Sequence, residues 1–469
     1  MTIRPQTLFI SAIILFLGIF GLAENSLAAT CSSINQNGIT WIFDHAYECG
    51  QFVNGDWWVI GPVTINSQTP AWDGIKNGAM LDPPTGTYIE GYDTRGSSYY
   101  MTYDNSLRVS FPTTISSGVK SLISVIGVAS YDPNVGQKSF IDNAAVLTVV
   151  NSAPSVNSFR PPFVAGAKPI YDNSSVNYAL IPSYSPPPTA LNLTGVMNMP
   201  WLNYGSRTFG EENMMPMKDM YGTAYPPYGS DSIVGQMSMM MMLNTANRVS
   251  YINKLIQLGI DDYAKANTTK DPWMAAGGYG MDHLWPILFS GIMLDNTTMK
   301  NIGRSTFTYT PGYRFAEQGW TYYNNKNVVM FGSDECSSGY STWAACTSNC
   351  MCRDPNGVLF PENMPNGGAY RQVISRNFPP EALAMRMLEP SLGTMTLFNH
   401  PSFFDYADYW AANCKSYDWT PCSSGYITDL YGFGGTGNGF MQYMWDTYRG
   451  AITAPDTIPP SAPTGLSVI

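Results

Sequence analysis

The sequence predicts an α+β multidomain chain: an N-terminal β-sandwich followed by a helical, α/α-toroid-like domain. Three observations carry this. Residues 29–155 hold short β-branched and aromatic runs separated by Gly, Pro, Asn and Asp, with no helical period. Residues 156–230 form a Pro-rich crossing, and from 231 to 452 the apolar spacing becomes helical. The chain has 469 residues, enough for two or three domains around large cores.

Residues 1–28 read as a signal peptide. Arg4 gives a positive start, Leu8 to Ala23 is almost unbroken apolar sequence, and Ser26-Leu27-Ala28 supplies the small residues of a cleavage site. The apolar run is short of the ~20 residues of a membrane span. The expectation is a chain starting near Ala29, secreted to an extracellular or periplasmic space, with no membrane attachment after cleavage. In the β region the expected strands are Ile39 to Phe43, Trp57 to Ile65, Leu122 to Ala129 and Ala144 to Val150. The pairs Trp57-Trp58 and Tyr99-Tyr100 suit strand-edge packing better than a ligand platform.

The crossing segment contains Arg160-Pro161-Pro162 and Ser185-Pro186-Pro187-Pro188, which no helix interior accepts. At 75 residues it is too long for a free linker and is expected to be packed. Asp231-Ser232 caps the first helix, through Met237 to Asn244. Val249 to Ala266 is amphipathic, and His283 to Leu294 is apolar nearly all round, hence buried. Pro380 to Leu388, Ser402 to Cys414 and Gly439 to Arg449 complete the helices. The run Met239 to Met242 reads as core filling.

Composition narrows the function. Charged residues are only 12% of the chain, aromatics are 13%, and the net charge is −10 without any Lys/Arg cluster. Nucleic acid is excluded as a partner, because phosphates need a basic footprint. A neutral glycan is favoured over a uronate-rich one. Sugar rings stack on aromatic faces and hydrogen-bond amides and carboxylates, so the composition suits carbohydrate handling. Eight cysteines in an exported chain read as disulfides. Cys31 pairs with Cys49 and Cys414 with Cys422. Cys336, Cys346, Cys350 and Cys352 read as disulfides rather than a zinc centre, because Cys350-Met-Cys352 lacks the usual two-residue spacer.

No hydrolase elbow, zinc-protease helix or phosphate loop is present. The densest candidate is Ala275 to Ile287: three glycines at 277, 278 and 280, then Tyr279, Asp282 and His283 at a helix start, with Trp285 behind them. Glu211, Glu212 and Asp219 form a loop carboxylate group of the kind a glycosidase uses as acid and base. Asp405 and Asp408 share a helix face near His400 and Trp410. Glu317, Tyr370 and Arg371 are further candidates. The assigned catalytic set is Tyr279, Asp282, His283, Glu211, Glu212, Asp219, Glu317 and Arg371; Trp285, Tyr370, His400, Asp405 and Trp410 are assigned to substrate binding. No cofactor is called for, although loop carboxylates and carbonyls are compatible with Ca²⁺.

Gly277-Gly278-Tyr279-Gly280, Trp285-Pro286-Ile287-Leu288-Phe289 and Asn399-His400-Pro401-Ser402-Phe403-Phe404-Asp405-Tyr406 together resemble exported bacterial proteins of the α/α-toroid type. That group contains polysaccharide lyases and glycoside hydrolases. Residues 453–469 resemble the start of a fibronectin type III module, with a Pro-rich lead before Gly465-Leu466-Ser467-Val468. The resemblance implies a secreted enzyme cleaving a polysaccharide in a cleft of the helical domain. A hydrolase would use two of the carboxylates; a lyase would use Tyr279 or His283 as base and Arg371 to neutralise a substrate carboxylate. The competing expectation is a non-catalytic glycan-binding or surface-matrix protein. The oligomeric state and the glycan stay open.

Overall fold

The computed structural model describes residues 29–87, 89–95, 101–130, 140–187, 198–204, 233–268, 273, 281–304, 315–323, 327, 329–331, 374–414 and 438–450. Strands come first and helices follow. The main strands are β1 (Ala29–Gln36), β2 (Ile39–Gln51), β3 (Trp57–Ile60), β4 (Val63–Thr69), β5 (Ala79–Leu81), β6 (Ile89–Glu90), β7 (Thr102–Tyr103), β8 (Thr113–Ile115), β9 (Lys120–Gly127) and β10 (Ile141–Val150). All but β6 and β7 join one eight-stranded half-barrel sheet of order β5-β9-β10-β3-β2-β4-β8, with β1 on β2.

The expected sandwich of two facing sheets is therefore replaced by a single curled sheet. Its curvature has local causes. Register shifts between Ile42 and Phe43, and between Cys31 and Ser33, mark irregularities that increase twist. Each face finds its own cover. Ile39, Trp41, Val59, Leu122, Leu147 and Val149 form a core on one side. Ile123, Val125, Ala144 and Val146 form another, closed by Phe163, Leu202 and Tyr204 from the crossing segment. Covered on both faces, β9 and β10 are buried at nearly every position.

The β1–β2 hairpin turns at Asn37 and Gly38, with φ of 52° and 82°. Positive φ at both central residues is the requirement of a type I′ turn. Cys31 and Cys49 form a disulfide across this hairpin, with Cα atoms 6.0 Å apart. The remaining cysteine pairings lie outside the described residues. So do the signal peptide, Tyr99-Tyr100 and residues 453–469. The crossing segment, where described, is irregular, with two short 3₁₀ turns (Asn173–Ser175 and Tyr178–Leu180).

The helices are α1 (Ile233–Met240), α2 (Arg248–Thr268), α3 (Leu284–Met293), α4 (Thr297–Lys300), α5 (Ala316–Gly319), α6 (Phe378–Leu392), α7 (Thr394–Phe398), α8 (Pro401–Cys414) and α9 (Asn438–Tyr448). A two-stranded ribbon, β11 (Thr321–Tyr323) with β12 (Val329–Phe331), lies between α5 and α6. Met239 to Met242, Trp285, Trp320 and Trp410 are buried in one helical core. α2 and α3 approach closely at Gly259, where a Cβ would stand 2.0 Å from the Pro286 carbonyl oxygen.

Arg160 fastens the sheet to the helices. Its Nε donates to Asp56 at 2.5 Å, and its two terminal nitrogens reach Asp261 of α2 at 3.1 and 2.5 Å. Arg160 is 1% exposed, Asp56 6% and Asp261 4%. Burial opposes the guanidinium charge, but Asp261 and Asp56 more than offset it and raise the Arg160 pKa. Among the described residues no helix is long and apolar enough to cross a membrane.

Candidate functional site

The start of α3 carries the chemistry. Glu317 Oε1, on α5, accepts from the His283 and Leu284 amides at 2.7 and 2.8 Å, satisfying N–H groups that a helix start leaves open. Glu381, in the first turn of α6, is brought near by tight packing: a Cβ on Gly235 of α1 would stand 2.7 Å from the Glu381 nitrogen. Asp282 immediately precedes α3 with a φ of 70°, an uncommon left-handed conformation. Glu317 and Glu381 are fully buried and Asp282 is 1% exposed.

These carboxyls interact. Burial pushes Glu317 up to about 7, against the pull of its amide donors, and the Asp262 charge adds to the rise. Burial raises Glu381 well above the carboxylate range, reinforced by the charges of Glu317 and Asp282. Both Glu381 oxygens and Glu317 Oε2 are buried without a hydrogen-bond partner. The group thus combines two carboxyls whose proton affinity burial raises, Glu317 and Glu381.

A second polar layer adjoins it. Asp262 Oδ1 pairs with Lys265 Nζ at 2.7 Å, and Asp262 Oδ2 lies 3.1 Å from His283 Nδ1. Burial raises Asp262, but Lys265 and His283 outweigh it and hold the carboxyl low. Lys265 also donates to Asn203 Oδ1 at 2.9 Å. That contact orients the amide so that Asn203 Nδ2 faces His283 Nε2 at 3.0 Å. Nε2 therefore accepts, and the ring proton sits on Nδ1 toward Asp262. Burial lowers the His283 pKa despite Asp262, which fits a neutral ring. Trp273 stacks on that ring at 3.9 Å and 17°.

Of the sequence candidates, Asp282, His283 and Glu317 come together here. Trp285 is fully buried and donates to Ser238 Oγ at 2.8 Å, and Trp410 is likewise fully buried, so both serve the core. His400 is held by the Thr321 carbonyl at 2.9 Å and by Ser402 Oγ at 2.9 Å. Asp405 accepts from the Tyr323 hydroxyl, and Asp408 takes Arg386 and Arg449. Glu211, Glu212, Asp219, Tyr279, Tyr370 and Arg371 lie outside the described residues. Among the described residues no group of His, Cys, Asp and Glu is arranged to hold a metal ion.

Sequence reasoning passed over Glu381, Asp262, Lys265, Asn203 and Trp273. One signal existed. Asp262 and Lys265 sit on the strongly buried α2, where unpaired charge is costly. Glu381 follows Pro379-Pro380 and reads as an ordinary first-turn acid of a helix. Comparison with known proteins adds no relative: no protein family, curated protein or solved structure matches the chain.

Proposed function

We propose that this chain is an exported carbohydrate-active enzyme that hydrolyses a neutral polysaccharide, using the carboxyls at the start of α3. The observation that carries the reading is the buried gathering of Glu317, Glu381 and Asp282, with the proton affinities of Glu317 and Glu381 raised by burial. Glycoside hydrolysis needs one carboxyl that delivers a proton and one that activates water or attacks the sugar. Glu317, poised at about 7, is assigned the proton donor. Asp282 is assigned the partner carboxylate, and Glu381, its proton affinity raised by burial and by the charges of Glu317 and Asp282, tunes the pair. His283 acts as a positioning residue, since both ring nitrogens are engaged.

The apolar segment Leu8 to Ala23, the low charge and the aromatic content support export and a glycan substrate. An α/α-toroid arrangement of the helices belongs to the same proposal. One observation favours a second reading, a non-catalytic glycan-binding protein: Glu317 and Glu381 have no exposed surface, whereas a reacting carboxyl must meet its substrate.

Incubation with a polysaccharide panel separates the readings. Reducing ends and the ultraviolet absorbance of unsaturated uronates are followed together. New reducing ends without absorbance support hydrolysis, absorbance indicates a lyase, and silence with retained glycan binding favours the second reading.

A further inference from the structure

A small crevice opens where the sheet, the crossing segment and α2 meet. It is lined by Asn54, Asp56, Arg160, Trp201, Gln257 and Asp261, among others. Junctions between structural units are common ligand sites. Arg160 is paired with both Asp56 and Asp261, and Lys254 is the fourth charged residue of the lining. Its amides and indole are not all satisfied. Trp201 Nε1 and Gln257 Oε1 are buried without a hydrogen-bond partner, in side chains only 3% and 4% exposed. Gln257 spends its amide nitrogen on the Arg160 carbonyl at 3.0 Å, which fixes the orientation and leaves Oε1 as the open acceptor.

The orphan donor and the orphan acceptor belong to two side chains that both line the crevice, and each costs free energy until matched. We infer that the crevice is a binding subsite for a neutral polyhydroxylated ligand, a sugar unit that inserts one hydroxyl or hydroxymethyl group between Trp201 and Gln257. A hydroxyl both donates and accepts, so it answers the two groups together.

Trp201 also links the crevice to the buried polar layer. Its carbonyl accepts from Lys265 at 3.3 Å, and its ring meets His283 edge-on at 6.1 Å. Glu317 is not among the residues that line the crevice, so occupancy of the crevice does not depend on the hydrolase assignment.

The test uses the full mature chain with glucose, mannose, galactose and N-acetylglucosamine as probes. Binding is followed by saturation-transfer NMR and tryptophan fluorescence, and the site is read from soaked crystals. Trp201→Phe removes the orphan N–H while keeping the ring, and Gln257→Met removes the orphan acceptor. The expected result is binding of at least one sugar, weakened about tenfold or more in Trp201→Phe, the equivalent of ~1.4 kcal/mol. Melting of that variant should be unchanged or improved. No binding by any probe, equal affinity in Trp201→Phe, or an ordered water alone bridging the two groups in soaked crystals would each overturn the inference. If Gln257→Met fails to fold, Trp201→Phe still decides.

Discussion

Replacing Arg160 by Met tests how the two halves of the chain are held together. The guanidinium satisfies Asp56 at 2.5 Å and Asp261 at 3.1 and 2.5 Å, in a site where all three residues are at most 6% exposed. Methionine fills similar volume but leaves two buried carboxylates uncompensated. Breaking a buried ion pair from one side costs about 3–5 kcal/mol at neutral pH. The cost should depend on pH with a defined sign. Burial already pushes Asp261 up, against the pull of Arg160. Without Arg160 its folded pKa rises further above the unfolded value. The folded state then binds more protons than the unfolded one, so stability falls as pH rises through that interval. The deficit of Arg160→Met should be largest near pH 7 and shrink toward pH 4. Urea denaturation read by tryptophan fluorescence across that range measures it, and Asp261→Asn on the Met background should recover part of the loss. A deficit below about 1 kcal/mol at pH 7, or one independent of pH, would refute the reasoning.

Three further outcomes follow from the same geometry. Glu317 has a folded pKa of about 7 against an ordinary 4.5, so the folded chain loses stability as pH rises between these values, by about 3 kcal/mol in total. Glu317→Gln keeps an oxygen for the His283 and Leu284 amides and should flatten that slope in denaturation curves measured from pH 4 to 8. Gly259→Ala places a methyl 2.0 Å from the Pro286 carbonyl and 2.1 Å from Ser290 Oγ, and should destabilise the α2–α3 pair by at least about 1–3 kcal/mol in urea unfolding. The Cys31–Cys49 bridge closes a separation of 18 residues, so the Cys31→Ser, Cys49→Ser double variant should lose about 3 kcal/mol by the same assay.

Much of the architecture was legible because its signals are local. The order of strands before helices followed from the change of apolar period, and α2, α3 and α8 follow amphipathic or apolar runs visible in the sequence. The sheet's shape was not legible. Nothing in the β-rich sequence says that Phe163, Leu202 and Tyr204 will cover one face, so a second sheet was expected where the crossing segment does that work. The run Trp57 to Ile65 also divides at Gly61-Pro62 into β3 and β4, which flank β2 on opposite sides.

The site divides in the same way. Asp282 and His283 stood out because glycines precede them at a helix start. Glu317 was singled out only weakly, and its partner Glu381 not at all, since the two lie 64 residues apart and meet only through packing of α1, α5 and α6. His283 drew notice as a base, yet its state is set by Asp262, Lys265 and Asn203, three residues from two distant segments. Long-range polar networks of this kind leave no periodic trace.

The most direct test of the account is the rate of reducing-end release by the parent chain and by Glu317→Gln on the same neutral glycan, measured across pH. The account predicts activity in the parent that declines above about pH 7, as the Glu317 proton is lost, and a loss of about 10²–10⁴-fold in the variant. Equal rates in the two proteins, with the variant folded, would contradict it.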